Sequence, residues 1–567
     1  MVRAFWGAAP ILLLACGGPV TGDHGGDADA DADSTRDTAA PLVPPGEVGA
    51  RFTSAEVPAC VDPGAREEAR YDVQQAAHME IDAAYLAGGG LVIADFTGDD
   101  ILDVFISSEH DYQLWTGMSD GNWTSGELES FGGADMAMAV GGSAADVEGD
   151  GDLDLLVTRF DLPVMLFLND GTGVFTDVSD ISGLGERSEK WQSSSWADFD
   201  LDGDLDLVAG AYGPTPDDAF DTAQIPGDPK ALYTNDGNGT FTDRSELLPE
   251  YVQESYTFMT AWYDINGDQY PELFFVNDFA DYHPSSMLLN VGGTSFELVA
   301  ATSFDCGNTF GMGAGIGDLN EDGLPDFLLT SFKELCISES LAVPAENAPG
   351  GIQWIDQVNA AGLTVDPAQQ RYGWGAELFD ADNDADLDAI IGYGLWSTYN
   401  SNPADQPDSL FLNDGDAGLS FTDVSATDAW DLDDRSITRG IAAVDLDKDG
   451  WLDIVKRDLK GPTLIRTARC GEEAWLELAL EQPGTRNPDA IGATIRVTTH
   501  GPAGDQTQTR WIHSGSSSMY TGLPPEAHFG LDNAETVDLV EIVWPDGEVS
   551  RRAGLDTRQR YTVTRQD

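Results

Sequence analysis

A nine-residue acidic pattern, D-x-[D/N]-x-D-G-x-x-D, constrains this chain more than any other feature. It is clear at Asp146 to Asp154, carrying Asp146, Glu148, Asp150, Asp152 and Asp154, and at Asp198 to Asp206, carrying Asp198, Asp200, Asp202, Asp204 and Asp206. It returns at Asp318 to Asp326 with Asn320 and Asp322, and at Asp445 to Asp453 with Asp447 and Asp449. Looser copies hold Asp95, Thr97, Asp99 and Asp103; Asp264, Asn266, Asp268 and Glu272; and Asp380, Asp382, Asp384 and Asp388. Successive starts fall 51 to 66 residues apart, the mark of a repeat architecture.

The residue types point to calcium. This hard cation takes six to eight oxygens at about 2.3–2.6 Å. In a tight loop, side chains at positions 1, 3 and 5 turn inward, position 7 offers a carbonyl and an acid at position 9 closes the shell. Position 6 needs a positive φ, so Gly151, Gly203, Gly323 and Gly450 mark the four strongest loops. Asp100, Gln269 and Ala385 at that position make the other three weaker. An EF-hand would need Glu at position 12, where the strong loops have Val157, Ala209, Leu329 and Lys456, and it would need flanking helices. The segment after each strong loop is strand-like instead (LDLLV, LDLVAGA, PDFLLTS, LDIVK). Acidic turns that merely keep a surface soluble are the plain alternative.

A second hairpin recurs between the loops. Leu166-Phe167-Leu168-Asn169-Asp170-Gly171 leading to Phe175-Thr176-Asp177 is matched by Leu232 to Asp243 and by Leu410 to Asp423. Alternating apolar residues around Asn-Asp-Gly read as two strands and a tight turn. One acidic hairpin plus one Asn-Asp-Gly hairpin gives four strands per repeat, and seven such repeats suit a closed β-propeller. The loops resemble the FG-GAP/VCBS repeats of integrin α-chain propellers, and Phe310-Gly311-Met312-Gly313-Ala314-Gly315 resembles the motif behind that name. The resemblance implies a seven-bladed propeller over residues 58–470, with Ca²⁺ on one face, away from the usual recognition face.

Residues 471–567 alternate apolar and polar side chains, as in Trp475 to Leu480 and Thr494 to Val497, and read as a small C-terminal β-domain. Asn487 to Ala493, His528-Phe529-Gly530-Leu531 and Val543-Trp544-Pro545-Asp546-Gly547 resemble the ASPIC/UnbV domain. Propeller repeats followed by that domain resemble the cartilage acidic protein family. Ser514 to Ser518 is less glycine-rich than the resemblance implies, which leaves any contact made by that loop open. The expected fold class is therefore all-β: a seven-bladed propeller with calcium loops plus a small β-domain.

The N-terminus reads as an address. Residues 1–15 form a short apolar signal, and Leu13-Leu14-Ala15-Cys16 resembles a bacterial lipoprotein lipobox, with Cys16 as the lipidated residue. An ordinary signal peptide is the alternative. Residues 16–57, including Asp27 to Asp33, read as a disordered acidic tether. The expected location is outside the cell, anchored at an outer membrane or cell surface. Of the remaining cysteines, Cys306 with Cys336 and Cys60 with Cys470 are the preferred pairs, although four thiols allow three pairings.

With 28 Lys plus Arg against 100 Asp plus Glu, the net charge is −72, which excludes nucleic acid as a partner and leaves membrane contact to the lipid anchor alone. Seven divalent ions would offset only a fraction of that charge. Hydrophobic residues at 41% and 14 Trp exclude disorder throughout. No G-x-S-x-G, H-E-x-x-H or P-loop is present, and His513, His528 and Asp546 fit a core and a turn better than acid–base chemistry. A non-enzymatic scaffold binding an unidentified cell-surface protein or glycan is the expectation. A carbohydrate-binding or carbohydrate-active propeller is the alternative, in which Trp191, Trp196, Trp262 and Trp374 would line a pocket rather than fill blade interfaces.

Overall fold

The computed structural model describes residues 47–55, 57, 71–78, 89–108, 112–118, 123–126, 131–213, 226–280, 283–299, 306, 309–331, 335–342, 352–363, 371–395, 404–415, 419–427, 430, 432, 435–468, 471–501 and 504–566. Among them the fold is all-β, with only a turn of α-helix at Glu250–Gln253.

Seven four-stranded arrays, A to G, share one plan. Their first strands are Leu91–Ala94, Ala139–Ala145, Trp191–Ala197, Tyr256–Tyr263, Gly311–Gly317, Gly373–Phe379 and Thr438–Val444. Their second strands are Asp103–Ser107, Asp154–Arg159, Asp206–Ala211, Glu272–Asp278, Asp326–Ser331, Asp388–Tyr393 and Asp453–Asp458. In every array an acidic loop joins the two, and its ninth residue opens the second strand. In B, C and F the Asn-Asp-Gly hairpins supply the third and fourth strands, as in Met165–Asn169 against Phe175–Asp177, where Phe175 faces Asn169; A, D and E use hairpins of other sequence. Array G takes its outer strand from the start of the chain: Tyr71–His78 pairs antiparallel with Pro462–Ala468.

Apolar clusters join each array to the next and close the cycle. Phe105 and Phe167 both pack on Phe131 between A and B, Leu156 and Leu207 share a cluster between B and C, and Phe199 stacks on Trp262 between C and D with centroids 6.0 Å apart. Phe274 meets Phe327 between D and E, and shared clusters hold Leu328 with Ala389 between E and F, Ile390 with Ile454 between F and G, and Val455 with Val104 between G and A. Burial of such a seam at every step, at roughly 25 cal/mol per Å² of apolar surface, holds a propeller-like ring, and one further cluster gathers Val140, Tyr256, Met312 and Trp374 of the first strands and their flanks around Met519 and Tyr520.

The C-terminal domain is a sandwich. One sheet runs Gly49–Ser54, Gln559–Gln566, Trp475–Glu481, Glu526–Gly530; the other runs Gly504–Trp511, Thr494–Gly501, Thr536–Val543, Val549–Asp556. Leu476, Leu478, Ile495, Val497, Phe529, Val540 and Ile542 fill the space between them. One boundary expected from the sequence is corrected here. The tether does not run on to residue 57, because Gly49–Ser54 pairs with Gln559–Gln566 over six residues. The region 471–567 is joined closely to the ring. Its hairpin, Ser514–Ser518 and Thr521–Gly522, pairs with the first strands of C and A and fuses those arrays into one ten-stranded sheet. Small residues make room for it: a Cβ on Gly313 would stand 3.2 Å from Met519, and one on Gly141 3.2 Å from Tyr520. Tyr520 donates to Gln192 Oε1 at 2.6 Å, and the Ser518 hydroxyl accepts the Ala376 N–H at 3.0 Å.

Candidate functional site: seven acidic loops under the sandwich

The loops between first and second strands repeat one hydrogen-bond scheme. The position-1 carboxylate accepts the N–H of position 6 in all seven, from Asp100 to Asp95 at 2.7 Å through to Gly450 to Asp445 at 2.7 Å. Position 5 accepts the N–H of position 7, as from Asp204 to Asp202 at 3.0 Å. Position 9 accepts the N–H of position 2, as from Val147 to Asp154 at 3.0 Å. These bonds turn short acidic side chains toward their own backbone, the chemistry that makes Asp a turn residue.

Position 6 has the expected left-handed backbone: φ is 98° at Gly151 and 91° at Gly450. Asp100 (67°), Gln269 (75°) and Ala385 (85°) adopt it as well, so the absence of Gly does not change the loop path. Position 4 is left-handed in all seven too, including Leu201 (61°), Glu321 (59°), Asn383 (59°) and Lys448 (61°), which the sequence did not signal.

Ligating atoms of positions 1, 3 and 9 lie within 4.8 Å of one another in three loops: Asp198, Asp200, Asp206; Asp380, Asp382, Asp388; and Asp445, Asp447, Asp453. The third-position residues Thr97, Asn266 and Asn320 offer neutral oxygens instead. Thr97 Oγ1, Asp198 Oδ1, Asp200 Oδ1, Asp318 Oδ1 and Asp447 Oδ1 are buried without a hydrogen-bond partner among the described residues. Burial, reinforced by neighbouring carboxylates, lifts Asp154 to about 8, Asp206 to about 9 and Glu272 to about 9, and pushes Asp380, Asp388, Asp445 and Asp453 well up. Crowded, desolvated oxygens of this kind fit a hard divalent cation, which would bring their proton affinity back down.

Each loop also touches the sandwich. Arg560 reaches Asp100 at 3.2 Å, the Arg486 backbone lies against Gly149 while its guanidinium reaches Asp204 at 3.3 Å, and Gly547 abuts Gln269. Gln506 donates to Glu321 at 2.7 Å, the Asp532 N–H donates to the Asn383 carbonyl at 2.8 Å, and Lys448 pairs with Glu477 at 3.3 Å. Burial alone would raise the Glu477 carboxyl, but Lys448 and Arg560 beside it hold it low. Asn side chains of the second hairpin tie neighbouring loops together: Asn169 donates to the Phe96 carbonyl at 2.9 Å and Asn235 to the Val147 carbonyl at 2.8 Å.

The other residues singled out in the sequence take structural places. Trp191, Trp196 and Trp262 are buried in seams between arrays, and Trp374 lies under the Arg439 guanidinium, 3.8 Å from its ring centroid. His513 contacts the Trp511 carbonyl at 3.1 Å, His528 contacts the Gly450 carbonyl at 3.1 Å, and Asp546 pairs with Arg565 at 2.7 Å. Cys306 and Cys336 form a disulfide with Cα atoms 5.8 Å apart. Cys16, Cys60 and Cys470 lie outside the described residues. No helix among the described residues is long and apolar enough to cross a membrane.

The ASPIC and UnbV family profile matches residues 484–567, and the FG-GAP-like repeat profile matches 95–157, 146–209 and 264–329. The described residues are thus all-β, with FG-GAP-like repeats matched in the ring and an ASPIC and UnbV match in the sandwich. The chain is distantly related to cartilage acidic protein 1: it is 24% identical to that of Xenopus tropicalis over 281 residues, covering 48% of this chain and 39% of that protein. Against the Mus musculus protein it is 25% identical over 279 residues, with the same coverage. The chain thus spans about two fifths of the length of the curated relatives it matches. Among solved structures, an Agrocybe aegerita lectin that recognises non-reducing terminal N-acetylglucosamine aligns with TM-score 0.40 and 15% identity, covering 68% of this chain and 94% of its own. BBS1N in complex with ARL6DN aligns with TM-score 0.41 and 8% identity, covering 71% of this chain and 98% of its own.

Proposed function

We propose that this chain is an exported seven-bladed propeller scaffold, tethered by a lipid on Cys16, that binds a protein partner at a cell surface and is stiffened by Ca²⁺ in its acidic loops. The observation that carries the reading is the single hydrogen-bond scheme of the seven loops, which leaves buried carboxylate oxygens without donors at position 1 or 3 of loops C, E and G. When bound, the ion would add positive charge to the loop at Asp198 to Asp206, where Arg486 at its edge and Arg244 beside Asp200 offset only part of five carboxylates. The chain's own residues do the rest. Positions 1 and 9 hold the loop path, positions 4 and 6 turn it, and the Asn side chains pass its rigidity to the next array. With the sandwich against the loops, the opposite rim of the ring is the surface for the partner. At metal tenfold above dissociation, one site contributes about 1.4 kcal/mol, so several together rival a domain's net stability of roughly 5–15 kcal/mol.

The test immobilises the full chain and offers it native cell-surface protein extract and a glycan array, each with calcium and with chelator. Retention of a defined protein in calcium alone is the expected result. Selective sugar capture would replace this reading with a lectin, and no capture of either kind in calcium would contradict it.

A further inference from the structure

The seven loops are not equally open to solvent. Five keep at least one exposed residue: Asp99 in A, Asp150 in B, Asp202 in C, Gly267 in D and Asp322 in E. Loops F (380–388) and G (445–453) have none. What covers them is the sandwich sheet holding Trp475–Glu481 and Glu526–Gly530. A Cβ on Gly450 would stand 1.7 Å from the Trp475 ring, and one on Gly530 would stand 1.9 Å from Asp380 Oδ2. Asn383 Nδ2 donates to the Gly450 carbonyl at 3.1 Å, locking F to G, and His528 contacts the same carbonyl from above. Lys448, in loop G, is paired with both Glu477 and Glu526 of the sandwich.

F and G are also two of the three loops whose carboxylates already converge within 4.8 Å. Beside them, Asp380, Asp445, Glu477 and His528 line one cavity of about 120 Å³. Glu477 is 2% exposed and its Oε2 has no hydrogen-bond partner among the described residues. Asp447 Oδ1 is likewise buried without one.

We infer that the C-terminal sandwich is the lid of two occluded calcium sites, in loops F and G, whose ions exchange only when that sheet lifts, whereas ions in loops A to E exchange with the sandwich in place. The inference rests on the calcium reading above and adds to it that the seven sites fall into two kinetic classes. An ion in A to E has a side of its loop facing water. An ion in F or G can leave only through a local opening that breaks the Trp475 contact and the Lys448 ion pairs, and such openings are rarer than exposed-loop motion by the Boltzmann weight of the contacts they break.

The experiment loads the full chain with calcium, measures bound ion per chain at equilibrium, then mixes it with excess chelator and a fluorescent indicator. The expected release has a fast phase and a phase at least ~tenfold slower that accounts for two ions. Trp475→Ala should speed the slow phase toward the fast one without lowering the number bound. Glu526→Gln, which keeps the shape of the side chain and weakens its pairing with Lys448, serves if Trp475→Ala does not fold. Release of every ion in one fast phase overturns the lid while leaving the calcium reading intact, as does a slow phase unchanged in both folded variants. No bound ion at equilibrium overturns the calcium reading itself.

Discussion

The ring and the sandwich are both made of four-stranded sheets, yet they are assembled by opposite rules. In arrays A to F each strand pairs with one reached through a turn or loop, and the acidic loop that joins the first two strands is itself a hydrogen-bonded unit. The sandwich instead brings Gly49–Ser54 to Gln559–Gln566 and Trp475–Glu481 parallel to the same strand, so its order comes from contacts between the two ends of the chain. The difference separates two sources of stability. The ring distributes its stability over repeated acidic loops and seams, whereas the sandwich concentrates its own in one alternating apolar core that runs on into the seam between B and C. Where the two meet, the hairpin at Ser514–Gly522 couples them.

Chelation should break the comparison most sharply. Removing calcium is expected to lower the melting temperature by ~10 °C or more, with calcium restoring it and magnesium restoring little, because the smaller ion demands an octahedral shell. Hydrogen exchange followed during the same titration should show the loops of the ring losing protection before the core strands at Leu476, Val540 and Ile542. Simultaneous loss throughout would mean that the hairpin makes ring and sandwich one cooperative unit.

Tyr520→Ala addresses that coupling directly. The side chain is 1% exposed, packs in the aromatic cluster with Tyr256 and Trp374, and donates to Gln192. Its removal should cost about 3 kcal/mol by denaturant titration, the range for truncating a buried aromatic residue. A cost near zero would show that the hairpin fills space without joining the two parts.

A pH series on the metal-free chain gives a smaller effect of defined sign. Asp154, Asp206 and Glu272 have folded pKa values near 8, 9 and 9, raised by burial, against ordinary values near 4 when unfolded. The folded state therefore binds more protons across that interval. Its stability contribution is present in full at about pH 4 and is lost as pH rises through about 8 to 9. Melting temperature without metal should fall from pH 6 to pH 9. With calcium bound the carboxylates are ionised and the trend should reverse on the acid side.

The smallest effect belongs to Arg486→Ala. That guanidinium is about half exposed and meets Asp204 at the edge of loop C, so solvent screening limits its loss to about 0.5 kcal/mol in the same titration. A loss several times larger would move Arg486 from the periphery of the interface to its centre.

Legibility in the sequence divides along the same line. Loop positions, the strands flanking them and the Asn-Asp-Gly hairpins are set by chemistry within a dozen residues, so the pattern of Asp, Gly and alternating apolar side chains exposes them. Left-handed backbone at Leu201, Glu321 and Lys448 is invisible in the sequence because those types do not favour it, whereas Asn383 is a type that does. They adopt it because the loop's hydrogen bonds, shared with copies that carry Gly98, Gly149 and Gly267 there, leave no other path. Loop F, expected to be weak at Ala385, gathers its carboxylates as closely as loop G, since burial under the sandwich fixes its path. The strand at Gly49–Ser54 and the hairpin at Ser514–Gly522 depend on partners hundreds of residues away. Their local composition, a short Gly-Ala-Arg-Phe-Thr-Ser stretch at the end of the expected tether in one case and a serine run in the other, carries no sign of where they end up.

Calcium in the acidic loops is open to direct observation by long-wavelength anomalous diffraction from crystals of the full chain grown in that ion. Anomalous peaks are expected between positions 1, 3 and 9 of the loops, including those beginning at Asp198, Asp380 and Asp445. Well-ordered density for those three loops with no anomalous peak in any of them would contradict a calcium-stiffened ring.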